Sequence, residues 1–418
     1  MGGTAGAGGS TAVGGSTGSG GTLASGGTPA TGGGQSQSGG SGGSARTGGA
    51  GASGTGPGGS SAGGSGAAGV AGSSGGTLDA AVGGHGDTGS AGGAGGGVDG
   101  GSGGGTGPCD IYQSGNTPCV AAHSTVRALY GSYNGKLYQL RRADKSTQDI
   151  GVLTQGGLAD SAAQERFCSG TKCTISIIYD QSSQHNDLTL TSGGWIGNNA
   201  KEAAADGITI TLGGRTVYGI HVPGGVGYRN NKATGTARGD QPESMYMVVN
   251  GKYYNDKCCF DYGNAETTSQ NDGNGTMEAL YFGNCCAGNT YTIGEGNGPW
   301  IMADIENMLA AGTKKVNPNN KSLSFDYVTG TLKGKPHNWA IKAGNSQLGG
   351  LTTMYDGPYP SNGYDPMKKE GAIILGTGGD NSYASVGDWF EGAMTTGYAT
   401  DAVEDAVQAN IVAVGYGR

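Results

Sequence analysis

The amino-acid sequence predicts an all-β fold: an antiparallel β-sandwich with a few short helices, built by residues 108–418 behind a Gly-rich tract. Three observations lead there. Apolar or alternating runs of strand length recur throughout residues 108–418. Glycine and asparagine punctuate those runs as turn residues. Helical periodicity is rare, and many short strands with few helices describe a sandwich rather than an α/β fold.

The elements follow in chain order. Residues 124–132 and 160–167 each read as a short helix, with Ser124 and Asp160 placed to cap the free amides of the first turn. Strands are expected over 174–179, 208–212, 216–222, 245–249, 277–282 and 300–306, and again over 323–328, 338–342, 372–375 and 389–394. Gly213-Gly214 separates two strand-like runs and predicts a hairpin, because a two-residue turn needs positive φ. Near the C-terminal end, residues 401–414 carry Val403, Ala406, Val407 and Ile411 on one helical face.

The run at 300–306 carries the strongest chemical signal. On a strand, side chains two apart point the same way. Met302, Asp304 and Glu306 then share one face, and Ile301, Ala303 and Ile305 the other. Two carboxylates side by side repel and raise the pKa of one of them. Glycoside hydrolysis is the first chemistry that uses such carboxyl groups. The same pattern also fits an exposed acidic edge.

Composition divides the chain. Residues 1–107 hold 48 of the 93 glycines, no aromatic residue, and only Arg46, Asp79, Asp87 and Asp99 as charges, with the single His85. Such a tract buries too little apolar surface to offset its backbone entropy, so it is expected to be a disordered tether. Gly59-Ser60-Ser61-Ala62-Gly63 matches a nucleophile-elbow pattern there by chance. Without the tract, 23 basic and 29 acidic residues remain, a net charge of −6 with no basic stripe. Nucleic acid is therefore not an expected partner. No apolar run approaches the ~20 residues of a membrane span, and the chain is expected to act as a monomer. Its start, Met1-Gly2-Gly3, has neither a basic nor an apolar leader segment. Eight cysteines in a Gly- and Tyr-rich, Lys-poor chain nonetheless suit an exported or surface-tethered protein, with a leader expected upstream. A cytosolic protein with free thiols is the alternative.

The cysteines fall in close pairs, 109/119, 168/173, 258/259 and 285/286. Short-range closure favours Cys109–Cys119 and Cys168–Cys173 bridges, each stapling a small polar loop. The two Cys-Cys dipeptides allow either vicinal bridges or partners elsewhere. No metal site is expected: Cys168-x4-Cys173 lacks a second pair at finger spacing, adjacent cysteines ligate one tetrahedral ion poorly, and the histidines are scattered.

Longer ordered motifs then become visible. They include Gly107-Pro108-Cys109-Asp110-Ile111-Tyr112, Gly227-Tyr228-Arg229-Asn230-Asn231, Asp256-Lys257-Cys258-Cys259-Phe260-Asp261-Tyr262-Gly263-Asn264, the segment 298–307, and Lys369-Glu370-Gly371 through Gly378-Gly379-Asp380-Asn381. Over residues 107–416 the chain resembles glycoside hydrolase family 54, the α-L-arabinofuranosidases. The resemblance implies a concanavalin-like β-sandwich (jelly roll) and a retaining exo-enzyme acting on arabinose-containing polysaccharides and oligosaccharides, without a cofactor. Carried over residue by residue, it implies Glu306 as nucleophile and Asp380 as general acid/base. Asp304 corresponds to a carboxylate that contacts the sugar, Asn307 and Gly379 to neighbouring pocket positions, and Cys258–Cys259 to a vicinal disulfide against the bound sugar. Without the resemblance, Gly-Gly-Asp-Asn around Asp380 is ordinary turn chemistry. Glu278 and Glu391 read as structural carboxylates.

The sequence departs from the family in two places. The family's C-terminal arabinose-binding β-trefoil has no counterpart before Arg418, which implies weaker binding to bulky arabinoxylan. The Cys285-Cys286 loop departs from the pattern, and no tryptophan between Phe282 and Trp300 replaces the family's pocket tryptophan. A carbohydrate-binding module without turnover, and a hydrolase of related β-xylosides or galactofuranosides, are the alternative readings.

Overall fold

The computed structural model describes residues 105–286 and 292–418. The tether expected over residues 1–107, the 59–63 match and His85 lie outside them, apart from residues 105–107. Gly107 there is the N-cap of a helix, Pro108–Ser114, whose proline at the first position fits a φ it already holds.

Two antiparallel sheets form the body. The seven-stranded sheet runs Cys119–Ser124, Gly387–Thr396, Glu243–Asn250, Tyr327–Lys335, Asn338–Asn345, Leu348–Gly357, with Ile220–Val222 also paired to Gly387–Thr396. The ten-stranded sheet runs Leu309–Ala310, Trp300–Asp304, Glu278–Gly283, Asp261–Ala265, Ala372–Leu375, Tyr228–Asn230, Leu188–Leu190, Cys173–Ile178, Lys136–Arg142, Thr147–Gly151. The sheets face each other closely enough to need glycine at points of contact. A Cβ on Gly330 would lie 2.5 Å from Ile301 Cδ1, and one on Gly392 would lie 2.6 Å from Tyr262 Cε1. Bulk on one sheet thus fills space left open by the other.

Strand alternation places the site. In the ten-stranded sheet Tyr262, Leu280, Phe282, Ile301, Ala303, Ile373 and Leu375 point into the main core. Their neighbours Tyr281, Trp300 and Met302 point the other way, into a smaller apolar cluster with Cys259, Cys285 and Leu309. Asp261 and Asp304 fall on this second face by the same period of two. Register aligns Asp261 with Tyr281 and Tyr281 with Met302, one row across three strands.

Apart from its edge strand Leu348–Gly357, the seven-stranded sheet is buried on its outer face as well, because helices cover it. Tyr246 stacks on Tyr112 of the first helix at 6.2 Å. Lys333 and Lys342 reach Asp401 and Glu404 of the helix Asp401–Val414. That helix buries Val407 and Ile411 as its periodicity predicts, but also Glu404 and Gln408, while Ala406 is exposed. The lysines beneath it explain the buried Glu404, and Gln408 donates to the carbonyls of Asn345 and Gly349.

Other expectations need correcting. Residues 124–132 are not a helix: the Ser124 hydroxyl accepts the amides of Val126 and Arg127, but the amide of Leu129 is taken by the Gln181 side chain, so no helical ladder follows. The run 216–222 is two strands, Arg215–Tyr218 and Ile220–Val222. The strand sought at 323–328 begins only at Tyr327. The helix at 160–167 is present as Ser161–Phe167, with Asp160 accepting the amide of Ala163. The Gly213-Gly214 hairpin joins Thr209–Leu212 to Arg215–Tyr218, with both glycines at positive φ.

Candidate active site

The strand at 300–306 ends earlier than its alternation suggests, and the difference decides where Glu306 points. Trp300–Asp304 is strand, and Asp304 pairs with Leu309. Between them the chain turns: the Ile305 amide bonds to the Met308 carbonyl at 3.1 Å, and Glu306 and Asn307 both take left-handed φ, 56° and 59°. Glu306 therefore does not share a strand face with Met302 and Asp304. This is a two-residue hairpin turn of the kind that favours Asn-Gly. Glutamate in a left-handed conformation costs about 1–3 kcal/mol, and such strain concentrates at functional sites. The Asp304 carboxylate steadies the turn by accepting the Glu306 amide at 3.2 Å. The Asn307 amide group donates to Asn274 and Asn271, at 3.0 and 3.3 Å.

Asp380 arrives from a loop after the strand Ala372–Leu375. The loop is closed by Gly378 N to the Ser382 carbonyl at 2.9 Å, and Asp380 Oδ1 accepts the Ser382 amide at 2.9 Å. Asn381, fully buried, is its anchor. Its Oδ1 accepts from Thr191 and Arg229, and its Nδ2 donates to the carbonyls of Ser192 and Gly193. Gly379 admits no side chain: a Cβ there would collide with the Glu266 carboxyl and lie 2.7 Å from Met277 Sδ.

All seven residues singled out for a site, Cys258, Cys259, Asp304, Glu306, Asn307, Gly379 and Asp380, line one cavity of about 220 Å³. Asn271, Met308, Leu309 and Ser382 complete its wall. A larger cleft of about 660 Å³, around Tyr130, Tyr133, Gln181 and Gln184, contains no carboxylate or histidine. Four disulfides join Cys109 to Cys119, Cys168 to Cys173, Cys258 to Cys259, and Cys285 to Cys286. The two vicinal pairs share the apolar cluster beneath the cavity, and Tyr281 links them by donating to the Lys257 carbonyl and accepting the Cys285 amide. Residues 287–291, part of the loop between Phe282 and Trp300, lie outside the described residues. The sulfurs of Cys258 and Cys259 gather with an Asp304 oxygen within 4.8 Å, but they are bonded to each other and offer no thiolate to a metal.

The electrostatics rest on residues to which the sequence reading gave no role: Asp261, Glu266 and Arg229. Asp261 lies behind Asp304, and neither of its carboxyl oxygens receives an N–H or O–H from any other kind of group. The pair must hold a proton between them. Burial first, and then Asp304, lifts Asp261 well above the usual carboxylate range. Burial, with the charges of Glu266 and Asp380, pushes Asp304 up to about 7, against the hydrogen bond with Asp261. Glu266 pairs with Glu306 in the same way. Burial and then that hydrogen bond push Glu306 up to about 11, while burial also raises Glu266. Arg229 is the cation set among these carboxyls. Arg229 donates to the Glu266 carbonyl, to the Gly379 carbonyl at 2.6 Å and to Asn381 at 3.0 Å, tying both carboxylate-bearing segments together. Asp261 and Arg229 stood inside quoted motifs. Glu266 carried only the weak signal of an acidic residue at the end of a buried strand.

Comparison with known proteins gives this geometry its context. The family model described as α-L-arabinofuranosidase B, catalytic, matches residues 108–417. α-L-Arabinofuranosidase B of Emericella nidulans is 55% identical over 319 residues, 74% of this chain and 62% of that protein. An α-L-arabinofuranosidase of Hypocrea jecorina is 53% identical over 318 residues, 74% of this chain and 63% of that protein. The chain thus spans about three-fifths of these relatives. Among solved structures, an arabinofuranosidase complexed with arabinofuranosyl-α-1,2-xylobiose aligns at 50% identity and a TM-score of 0.72, covering 75% of this chain and 66% of that one. A GH54 α-L-arabinofuranosidase soaked with a cyclic sulfate inhibitor aligns at 51% and 0.72, covering 74% and 66%. The chain belongs to the family of α-L-arabinofuranosidase B catalytic domains.

Proposed function

We propose that this protein is a retaining, exo-acting α-L-arabinofuranosidase that removes terminal arabinofuranosyl residues from hemicellulose or pectin side chains outside the cell. One observation carries the reading: Glu306 and Asp380, 74 residues apart in sequence, line the same small cavity with Asp304 and the Cys258–Cys259 pair. At about 220 Å³ the cavity is smaller than the ~300–1,000 Å³ of pockets for larger ligands, which suits one terminal sugar.

In this mechanism Glu306 attacks the anomeric carbon while Asp380 gives its proton to the departing glycosidic oxygen. A glycosyl ester forms on Glu306 and the aglycone leaves as an alcohol. Asp380, now a carboxylate, takes a proton from water, whose oxygen attacks the anomeric carbon and frees Glu306. Asp304 accepts hydrogen bonds from sugar hydroxyls and stabilises positive charge at the ring. Asn307 and Gly379 shape the pocket, and the vicinal disulfide offers a polarizable, apolar face to the sugar. In the empty site Glu266 and Glu306 share a proton, and burial raises the affinity of both for it. Positive charge growing at the anomeric carbon favours ionised Glu306, and Glu266 is the group placed to take the proton.

Hydrolysis of 4-nitrophenyl α-L-arabinofuranoside tests the reading, with a panel of aryl β-xyloside and galactofuranoside alongside. Glu306→Gln is expected to lower kcat by about 10³-fold or more. Asp380→Asn is expected to lose more on alkyl or oligosaccharide aglycones, which need protonation, than on nitrophenol. Undiminished turnover in Glu306→Gln would remove it as the nucleophile, and inversion at the anomeric carbon by NMR would remove the double displacement.

A further inference from the structure

The 3₁₀ turn Gly194–Ile196 carries Trp195, whose side chain stands in solvent at 74% exposure. It is the most exposed of six large apolar side chains that are open to solvent among the described residues. Three of the six, Leu190, Trp195 and Tyr383, belong to the segments bound to the Asp380 loop, and the only two aromatics of the six are among them. Trp195 is held there directly. Its amide donates to the Asp380 carbonyl at 3.0 Å, and the Asn381 side chain donates to the carbonyls of Ser192 and Gly193, at 3.0 and 3.1 Å. Gly193 and Gly197 bridge the base of the turn by reciprocal hydrogen bonds of 2.8 and 3.0 Å. Gly194 cannot be enlarged, since a Cβ would collide with the Asp380 carbonyl. The turn is therefore a fixed mount on the loop of the general acid, and Tyr383, three residues after Asp380, is tied to the same rim through its carbonyl and Gly225 N at 3.0 Å.

A general acid sits beside the oxygen of the leaving group, so whatever lies beyond Asp380 faces the aglycone rather than the arabinose. An exposed aromatic ring costs apolar hydration in the free protein and regains it against a flat apolar surface. The C–H face of a pyranose ring is such a surface, whereas a furanose ring is puckered. We infer that Trp195, with Tyr383 at the same rim, forms an aglycone subsite that receives a pyranose of the backbone to which the arabinosyl branch is attached. This inference rests on the arabinofuranosidase reading and assigns a place to the other half of its substrate.

The test compares Trp195→Ala with wild type on three substrates: arabinofuranosyl-xylobiose, α-1,5-arabinobiose and methyl α-L-arabinofuranoside. Methyl carries no ring to stack. The expected result is that the ratio of kcat/KM on arabinofuranosyl-xylobiose to that on the methyl glycoside falls about tenfold, mostly through KM. Trp195→Phe is expected to keep most of the ratio, which separates stacking from damage to the turn. An unchanged ratio in an active Trp195→Ala enzyme overturns the subsite and leaves the activity standing. A larger loss on arabinobiose than on the xylobiose derivative overturns its pyranose preference. A wild type that turns over none of the three refutes the functional reading, and the subsite with it.

Discussion

Two kinds of buried carboxylate coexist in this fold. In the seven-stranded sheet Arg127 meets Glu391 in a two-point ion pair, at 2.6 and 2.7 Å, and Tyr246 donates to the same carboxylate. Where the two sheets meet, Lys369 bonds Glu278 at 2.8 Å and lies 3.4 Å from Glu243, with Tyr359 and Asn264 completing the shell. Lys333 and Lys342 neutralise Asp401 and Glu404. Around the cavity the pattern reverses. Asp261, Glu266, Asp304, Glu306 and Asp380 gather with Arg229 as the cation among them, and two carboxyls have other carboxyls as neighbours where a donor should be. The fold supplies cations to those structural carboxylates and has left these in need of positive charge, which an oxocarbenium-like sugar would bring.

The contrast breaks first at the structural pairs. Lys369→Met leaves two buried carboxyls without their cation, and Arg127→Met does the same to Glu391. Each is expected to destabilise by about 3–5 kcal/mol in denaturant unfolding, with the chemistry of the folded fraction unchanged. Losses below 1 kcal/mol would erase the distinction. Glu266→Gln is expected to act on the chemistry instead. Glu266 raises the proton affinity of Glu306, so its replacement should move the acidic limb of the kcat/KM profile to lower pH. An unmoved limb would deny Glu266 its share of that proton.

A further effect is on stability against pH. Folding raises Asp304 from a carboxylate's usual ~3.9 to about 7. The folded state then binds its proton more tightly than the unfolded state does. The stability linked to that proton is full below the unfolded pKa and is lost as pH rises through about 7. Asp304→Asn should flatten this decline between about pH 4 and 7, and a decline just as steep would place its origin elsewhere.

Much of the fold was legible locally. The alternation of Trp300–Asp304, the glycine hairpin at 213–214 and the helix Asp401–Val414 each follow from their own residues. What was not legible depended on distant partners. Ser124 has the chemistry of a helix cap, but Gln181 takes the amide that would have continued the helix. Glu306-Asn307 lacks the glycine that announces such a turn, so strand periodicity extended two residues too far. Alternation singled out Glu306 beside Asp304, but its role and its pairing with Asp380 came from resemblance, since no local pattern links positions 74 apart. Glu266 escaped because its role comes from packing under Gly379 and beside Glu306, on a face that exists only once the sheet has formed.

The central claim is that Glu306 is strained and crowded for catalysis rather than for stability. Activity and unfolding temperature of Glu306→Gln, measured on one preparation, test it most directly. The account expects kcat to fall by about 10³-fold or more while the unfolding temperature holds or rises, because folding no longer has to bury and protonate a carboxyl there. Retained activity, or a drop of several degrees in the unfolding temperature, would contradict it.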